Sequence, residues 1–168
     1  MTIEIRRARR GDEAELAAMI YELAAFENAA DECVVTESSL RDALFVDQPT
    51  VYAHVAEVDG EPAAAALWFR NFSTWDGVAG IYLEDLFVRP QFRRLGLGRA
   101  MLSTLARECV AGGYTRLSWA VLDWNVNAIA LYDSVGGKQQ TEWITYRVSG
   151  SDLSALAESD GLAPPTAS

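Results

Sequence analysis

The sequence predicts an α/β (α+β) fold, a mixed, mostly antiparallel twisted sheet with helices on both faces, and three observations carry that expectation. A chain of 168 residues, half of them hydrophobic, suits one compact domain and leaves no room for a second full one. Period-2 and period-3.6 apolar patterns follow one another in the order β-α-α-β-β-β-α-β-α-β. The turn signals Asp59-Gly60, Gly112-Gly113 and Gly136-Gly137 fall where those patterns change. The expected domain covers residues 1–150, with 151–168 a short turn and a frayed tail.

Ile3 and Ile5 alternate with polar residues and run into the basic cluster Arg6 to Arg10, which reads as a short strand and a loop. Asp12 with Glu15 makes a capping-box-like start for a helix. Its Leu16, Met19, Ile20 and Leu23 fall at helical spacing, and it ends near Phe26. The acidic connection Glu27 to Glu32 suits the rim of a binding site, and Thr36 caps a shorter helix carrying Leu40, Ala43 and Leu44. β-Branched and aromatic residues predominate from Thr50 to Val58, and Asp59-Gly60 turns that strand into an antiparallel partner from about Ala63 to Phe72.

Asn71 to Gly77 is a loop, and the next strand runs from Ala79 to Val88. Leu97, Met101 and Leu105, with Leu102 beside them, mark a helix that Gly112-Gly113 stops. It should carry the chain by a right-handed crossover into a parallel strand, Thr115 to Leu122. Asn125 or Asn127 caps a short helix through Tyr132, and Gln139 to Val148 reads as the last strand. A Leu153–Leu156 turn and a Pro-containing tail follow.

Lys+Arg 14 against Asp+Glu 24 leaves a net charge of −10, which argues against a broad nucleic-acid surface. It favours a small positive pocket for one phosphorylated ligand, in an acidic protein that attracts a cationic co-substrate. Cys33 and Cys109 match no metal or redox spacing and read as buried small hydrophobes, so no metal is expected. No run approaches the roughly 18 apolar residues of a membrane span and the N-terminus shows no apolar signal core, so a soluble cytoplasmic protein is expected.

The chemistry concentrates in Tyr82 to Met101, YLEDLFVRPQFRRLGLGRAM. A helix start leaves backbone N–H groups unpaired at the positive end of its dipole, so it binds phosphate when side chains allow close approach. Gly96 and Gly98 remove those side chains, and Arg93, Arg94 and Arg99 add positive charge. A tight glycine loop before a helix, with no ligand, explains the same residues. A nucleotide P-loop is excluded because no lysine follows Gly98. A dinucleotide fingerprint wants a small residue where Met101 stands and an apolar strand where Glu84 and Asp85 stand.

Arg93-Arg94-Leu95-Gly96-Leu97-Gly98 resembles the Gln/Arg-x-x-Gly-x-Gly/Ala signature of the GNAT superfamily of acetyl-coenzyme A-dependent N-acetyltransferases. Asn125, followed seven residues later by Tyr132 with Gly136-Gly137 beyond, resembles that family's second motif. Tyr82 to Val88, Trp124-Asn125 and Phe26-Glu27 resemble the spermidine/spermine (diamine) and thialysine acetyltransferases over about residues 3–148. The chain departs from the diamine enzymes where they carry Tyr-Glu in place of Phe26-Glu27, and Asp-Pro-Trp in place of Ser73-Thr74-Trp75-Asp76.

The resemblance implies acetyl-coenzyme A as cofactor and a splayed central strand pair. The strand at Leu86, Phe87 and Val88 then pairs by its backbone with the pantetheine arm. Arg93, Arg94, Leu95, Gly96, Leu97, Gly98 and Arg99 hold the pyrophosphate, and Asn125 and Tyr132 contact the cofactor, the latter near its sulfur. It also implies a homodimer that shares or exchanges the C-terminal strand, here Gln139 to Val148.

Acetyl transfer needs a neutral amine, whereas an alkylamine has a pKa of about 10.4, so a base must take a proton. Glu84 is the candidate base because it stands among Tyr82, Leu83, Leu86 and Phe87, where a solvated face is not expected. Strict alternation separates Glu84 from Asp85, and only a bulged or splayed strand brings both to one site. Asp85 either attracts the amine or anchors a structural hydrogen bond. Tyr132 is the candidate acid, or else a helix aromatic packed on the last strand. Phe26, Glu27, Trp75 and Trp143 are candidates for an amine pocket, or for ordinary packing. His54, the one histidine, reads as structural.

The reading is an N-acetyltransferase moving acetyl from acetyl-coenzyme A to the primary amine of a small cationic substrate, a diamine, polyamine or lysine-like amino acid. Attack is direct in a ternary complex, since no cysteine lies near the motifs. Two alternatives stay open: acetylation of a protein or peptide amine, and a non-catalytic acyl-coenzyme A-binding regulator.

Overall fold

A five-stranded sheet positions everything that follows, and its centre is a long hairpin of small and aromatic residues. In the computed structural model, which describes residues 1–159, the strands are β1 (Ile3–Arg7), β2 (Tyr52–Val58), β3 (Glu61–Ser73), β4 (Val78–Val88) and β5 (Leu117–Trp119). They lie in the order β1-β2-β3-β4-β5, antiparallel except for the parallel pair β4–β5. The helices are α1 (Glu13–Phe26), α2 (Glu37–Leu44), α3 (Leu97–Ala111), α4 (Val126–Ser134) and α5 (Gly150–Glu158). The chain divides into two units, Met1–Gly136 and Gly137–Ser168.

In the first unit, alternation along β3 sorts the core into two layers. Ala64, Ala66 and Trp68 face Leu97, Met101, Leu102 and Leu105 of α3, while Ala65 and Leu67 face Leu16 and Met19 of α1 and Leu40 and Leu44 of α2. Alanines on both faces let the helices lie close to the sheet. Helices on both faces of a mixed, mostly antiparallel sheet is the architecture expected from the sequence.

His54 is buried, accepts a hydrogen bond at Nδ1 from Trp68 Nε1 at 3.1 Å, and has Nε2 3.4 Å from Glu108. Burial first, then Arg7, lowers its pKa to about 4, so it is a neutral core residue, as expected.

Three local expectations change in this unit. Asp12 precedes α1 but does not cap it with its side chain, because its carboxylate is taken by Arg6 at 2.7 and 2.9 Å and by Arg9 N–H at 2.7 Å. The hairpin is longer than expected: β3 continues to Ser73, which pairs with Val78, and leaves a loop of Thr74 to Gly77. Strand β5 is only Leu117–Trp119, since pairing with β4 stops at Leu83.

In the second unit, Gln139 to Val148 forms no strand, and Trp143, Ile144 and Tyr146 are exposed. Its apolar alternation favours an extended chain, but a strand also needs a hydrogen-bonded neighbour. The turn expected at Leu153–Leu156 is the helix α5. The tail expected over 161–168 lies outside the described residues. Among the described residues, no helix is long and apolar enough to cross a membrane.

Candidate active site

The site begins with a register shift. Leu67 of β3 lies opposite Asp85 but its neighbour Trp68 lies opposite Leu83, so Glu84 has no partner on β3. This bulge re-aims the strand and removes the strict alternation that would separate the two carboxylates. Past Leu83, β4 also leaves β5, so its backbone from Glu84 to Val88 has no strand partner on that side. Leu86 and Val88 pack into the α3-side core and Phe87 is buried on the α1 side. A ligand along this stretch therefore meets main chain rather than these side chains.

The two carboxylates differ in environment. Glu84 is exposed, which corrects the shielded position expected for it: the bulge turns it outward. Asp85 is the desolvated one, in a recess lined by Met19, Leu23, Leu67 and Phe87. Burial, then the charges of Glu84 and Glu27, raise its pKa to about 6.

Glu27 closes the end of α1, and burial raises its pKa. Its charge also reaches Tyr132 on α4, whose pKa is raised by burial first and by Glu27 second. Tyr132 packs against Trp119 of β5 at 5.0 Å between ring centroids. Glu27 of α1 thus acts electrostatically on both Asp85 of β4 and Tyr132 of α4, and Glu84 acts on Asp85. Beside them, Phe26 sits between Trp124, 5.6 Å away, and the guanidinium of Arg93, 5.4 Å from its ring.

After β4 the chain makes a short 3-10 turn at Pro90–Phe92 and enters α3 through a loop with two left-handed residues, Arg94 at φ 66° and Gly96 at φ 79°. Gly96 is the N-cap of α3, a conformation that favours glycine. The N–H groups in the first turn of α3 lack intrahelical acceptors and carry the positive end of its dipole at this loop. Arg93 and Arg94 are exposed here, with Arg93 Nε donating to Val88 O at 3.1 Å. Leu97 is buried and offers only backbone, whereas Leu95 is exposed.

The remaining candidates fall as follows. Asn125 caps α4, its Oδ1 accepting from Ala128 N–H at 3.3 Å. Arg99 points to Ser134 of α4, donating to its carbonyl and hydroxyl at 3.1 and 3.0 Å. Trp75 lies in the exposed turn of the β3–β4 hairpin, about 20 Å along β4 from Glu84 at the usual rise of a strand. The carboxylate group therefore does not include Trp75 within one chain. Trp143 is an exposed residue of the second unit.

Sequence reasoning passed over Trp119 and Arg89. Arg89 anchors the end of β4 by donating to Glu22 at 2.9 Å and to Pro62 O at 3.0 Å, and its guanidinium lies 2.9 Å from Glu15. A charge placed between a strand and Pro90 was a visible signal, but its partners, 67 and 27 residues away, were not.

Comparison with known proteins identifies the family and the fold. The Acetyltransferase (GNAT) family profile matches residues 17–136. A thialysine N-epsilon-acetyltransferase from Caenorhabditis elegans is 42% identical over 147 residues, which cover 86% of this chain and 90% of that protein. The enzyme of the same name from Sus scrofa is 34% identical over 167 residues, covering 93% and 98% respectively. Among solved structures, an integron cassette protein from the mobile metagenome of V. cholerae superposes with a TM-score of 0.79 at 25% identity, over 95% of this chain and 99% of that one.

Proposed function

The chain belongs to the GNAT acetyltransferase family, whose members use acetyl-coenzyme A, and we propose that it transfers acetyl to the primary amine of a small cationic substrate. The residues present fit the cofactor. Unpaired β4 backbone past Leu83 suits an extended amide-bearing arm, and the left-handed loop with Arg93 and Arg94 before α3 suits its pyrophosphate. When bound, acetyl-coenzyme A supplies an activated acetyl thioester.

The observation that carries the reading is the cluster of Glu27, Glu84 and Asp85 beside Tyr132. Carboxylates near a desolvated site attract an ammonium group. Glu84, facing solvent, draws the amine in and relays its proton outward. Asp85, with a pKa near 6, is a carboxylate basic enough to accept that proton from the amine near neutral pH and to pass it to Glu84, which hands it to solvent. Tyr132, kept protonated by burial and by Glu27, holds a proton at its phenol oxygen for the leaving thiolate. Asn125 orders α4, and the face formed by Phe26 and Trp124 gives the substrate's alkyl stem an apolar wall. Neither Cys33 nor the buried Cys109 belongs to this group, which favours direct attack in a ternary complex.

Relatives named for the ε-amine of thialysine, and one named for spermidine and spermine, support a lysine-like amino acid, a diamine or a polyamine as the substrate class. A cytoplasmic homodimer is part of the same reading, with Trp143 and the segment Gln139 to Val148 docking on a second copy.

The test is thiol release from acetyl-coenzyme A with thialysine, lysine, ornithine, spermidine and basic peptides. Turnover is expected on the small amines and not on the peptides. Tyr132→Phe and Glu84→Gln should each lower kcat by about 100-fold or more. Full turnover in both variants would overturn the assignment of roles.

A further inference from the structure

Helix α4 carries Tyr132 but has little to hold it. It is nine residues long, only Leu131 and Tyr132 pack partly buried against the α3-side core, and its last turn has no basic residue. The final carbonyls of a helix lack intrahelical donors and carry the negative end of its dipole, so such a helix frays unless something outside caps it. The N–H groups of Val135 and Gly136 close onto the carbonyls of Tyr132 and Asp133 at 3.2 and 3.1 Å, and the cap of the last residue, Ser134, comes from another helix. Arg99, in the first turn of α3, donates from one guanidinium nitrogen to Ser134 O at 3.1 Å and to Ser134 Oγ at 3.0 Å, and Ser134 Oγ itself donates to Leu131 O at 2.7 Å.

One residue earlier, Gly98 meets the same face of α4. A Cβ there would lie 2.9 Å from Leu131 Cδ2, closer than real Cβ contacts come. Leu131 and Ser134 are three apart and share one face of the helix, and Tyr132 stands between them in sequence, turned toward Trp119. The first turn of α3 therefore grips α4 on both sides of the tyrosine.

We infer that Arg99 is a positioning residue for Tyr132, capping α4 so that the phenol stays fixed, and not a ligand of the cofactor's phosphates. The inference rests on the reading of Tyr132 as the acid. Capture of phosphate falls instead to the loop backbone and to Arg93 and Arg94, while Gly98 serves the approach of two helices.

A double-mutant cycle in steady-state kinetics tests this, using Arg99→Gln, Arg99→Lys, Tyr132→Phe and the Arg99→Gln/Tyr132→Phe pair, with melting curves to confirm folding. Arg99→Gln should lower kcat by about tenfold while the KM for acetyl-coenzyme A changes by less than about twofold. Arg99→Lys, which keeps a donor and a charge, should recover most of the loss. The pair should have the kcat of Tyr132→Phe alone, because a cap that acts through the tyrosine has nothing left to position. A raised KM for acetyl-coenzyme A with unchanged kcat would overturn the inference in favour of a phosphate ligand. Losses that multiply in the pair, or no change in Arg99→Gln, would overturn it as well. If Tyr132→Phe alone keeps full kcat, the acid assignment itself falls and the inference falls with it.

Discussion

Asp85 concentrates the conflict between folding and function in one residue. Its pKa is raised from 3.8 to about 6, so the folded state holds the proton more tightly than the unfolded chain does. The favourable linkage is complete below about pH 4 and is lost as pH rises through 6, and above that the folded protein carries a charged group in an apolar recess. A shift of about two units corresponds to at most about 3 kcal/mol. Asp85→Asn should therefore raise stability at pH 7.5 by about 1 to 3 kcal/mol in urea titrations, with the gain vanishing near pH 4. It should also remove the acid limb near pH 6 from the kcat/KM profile, the cost expected when a functional residue is traded for stability. At this scale the sequence was legible in part. Both carboxylates were visible as a break in an apolar strand, but which one is desolvated depends on a bulge between Leu67 and Trp68, and that is a property of pairing with a second strand.

Among the elements, those whose boundaries come from local chemistry were legible and those set by neighbours were not. Helix α2 follows Thr36 with a reciprocal Thr36–Ser39 capping box, and α3 ends at Gly112. Strand β5 shrank because β4 turns away from it, which Thr115 to Leu122 alone could not announce. The glycine of the loop before α3 was legible for a reason that can be separated from packing. A Cβ on Gly96 meets nothing within 4 Å, so the demand there is the left-handed φ of 79° and not space. Gly96→Ala should cost about 1 kcal/mol in stability through that backbone term. With the turn holding the pyrophosphate as proposed, the same variant should raise the KM for acetyl-coenzyme A several-fold and change kcat less. Equal losses in kcat and KM for Gly96→Ala would show that the turn shapes the reacting centre instead.

For the molecule as a whole, the two-layer core of the first unit followed from alternation and helical spacing, whereas the second unit shows what periodicity leaves out. Trp143, Ile144, Tyr146 and Val148 are 71%, 79%, 90% and 49% exposed, a density of large apolar side chains that water does not favour. Ile144, Tyr146 and Val148 alternate, so an extended chain puts them on one face, and the backbone between them has hydrogen-bonding groups to offer along its edges. A second copy satisfies both needs at once, since β-pairing supplies donors and acceptors while the apolar face is covered. Ile144→Asp with Tyr146→Asp places two charges on that face. Sedimentation velocity should then find a dimer for the native sequence and a monomer for the variant, with the α/β signal of the first unit retained in circular dichroism. A dimer that survives both charges would move the interface elsewhere, and a native monomer would leave the exposed face to a partner other than a second copy. Because binding to the folded state adds stability by mass action, the native melting temperature should also rise with protein concentration, and that of the variant should not.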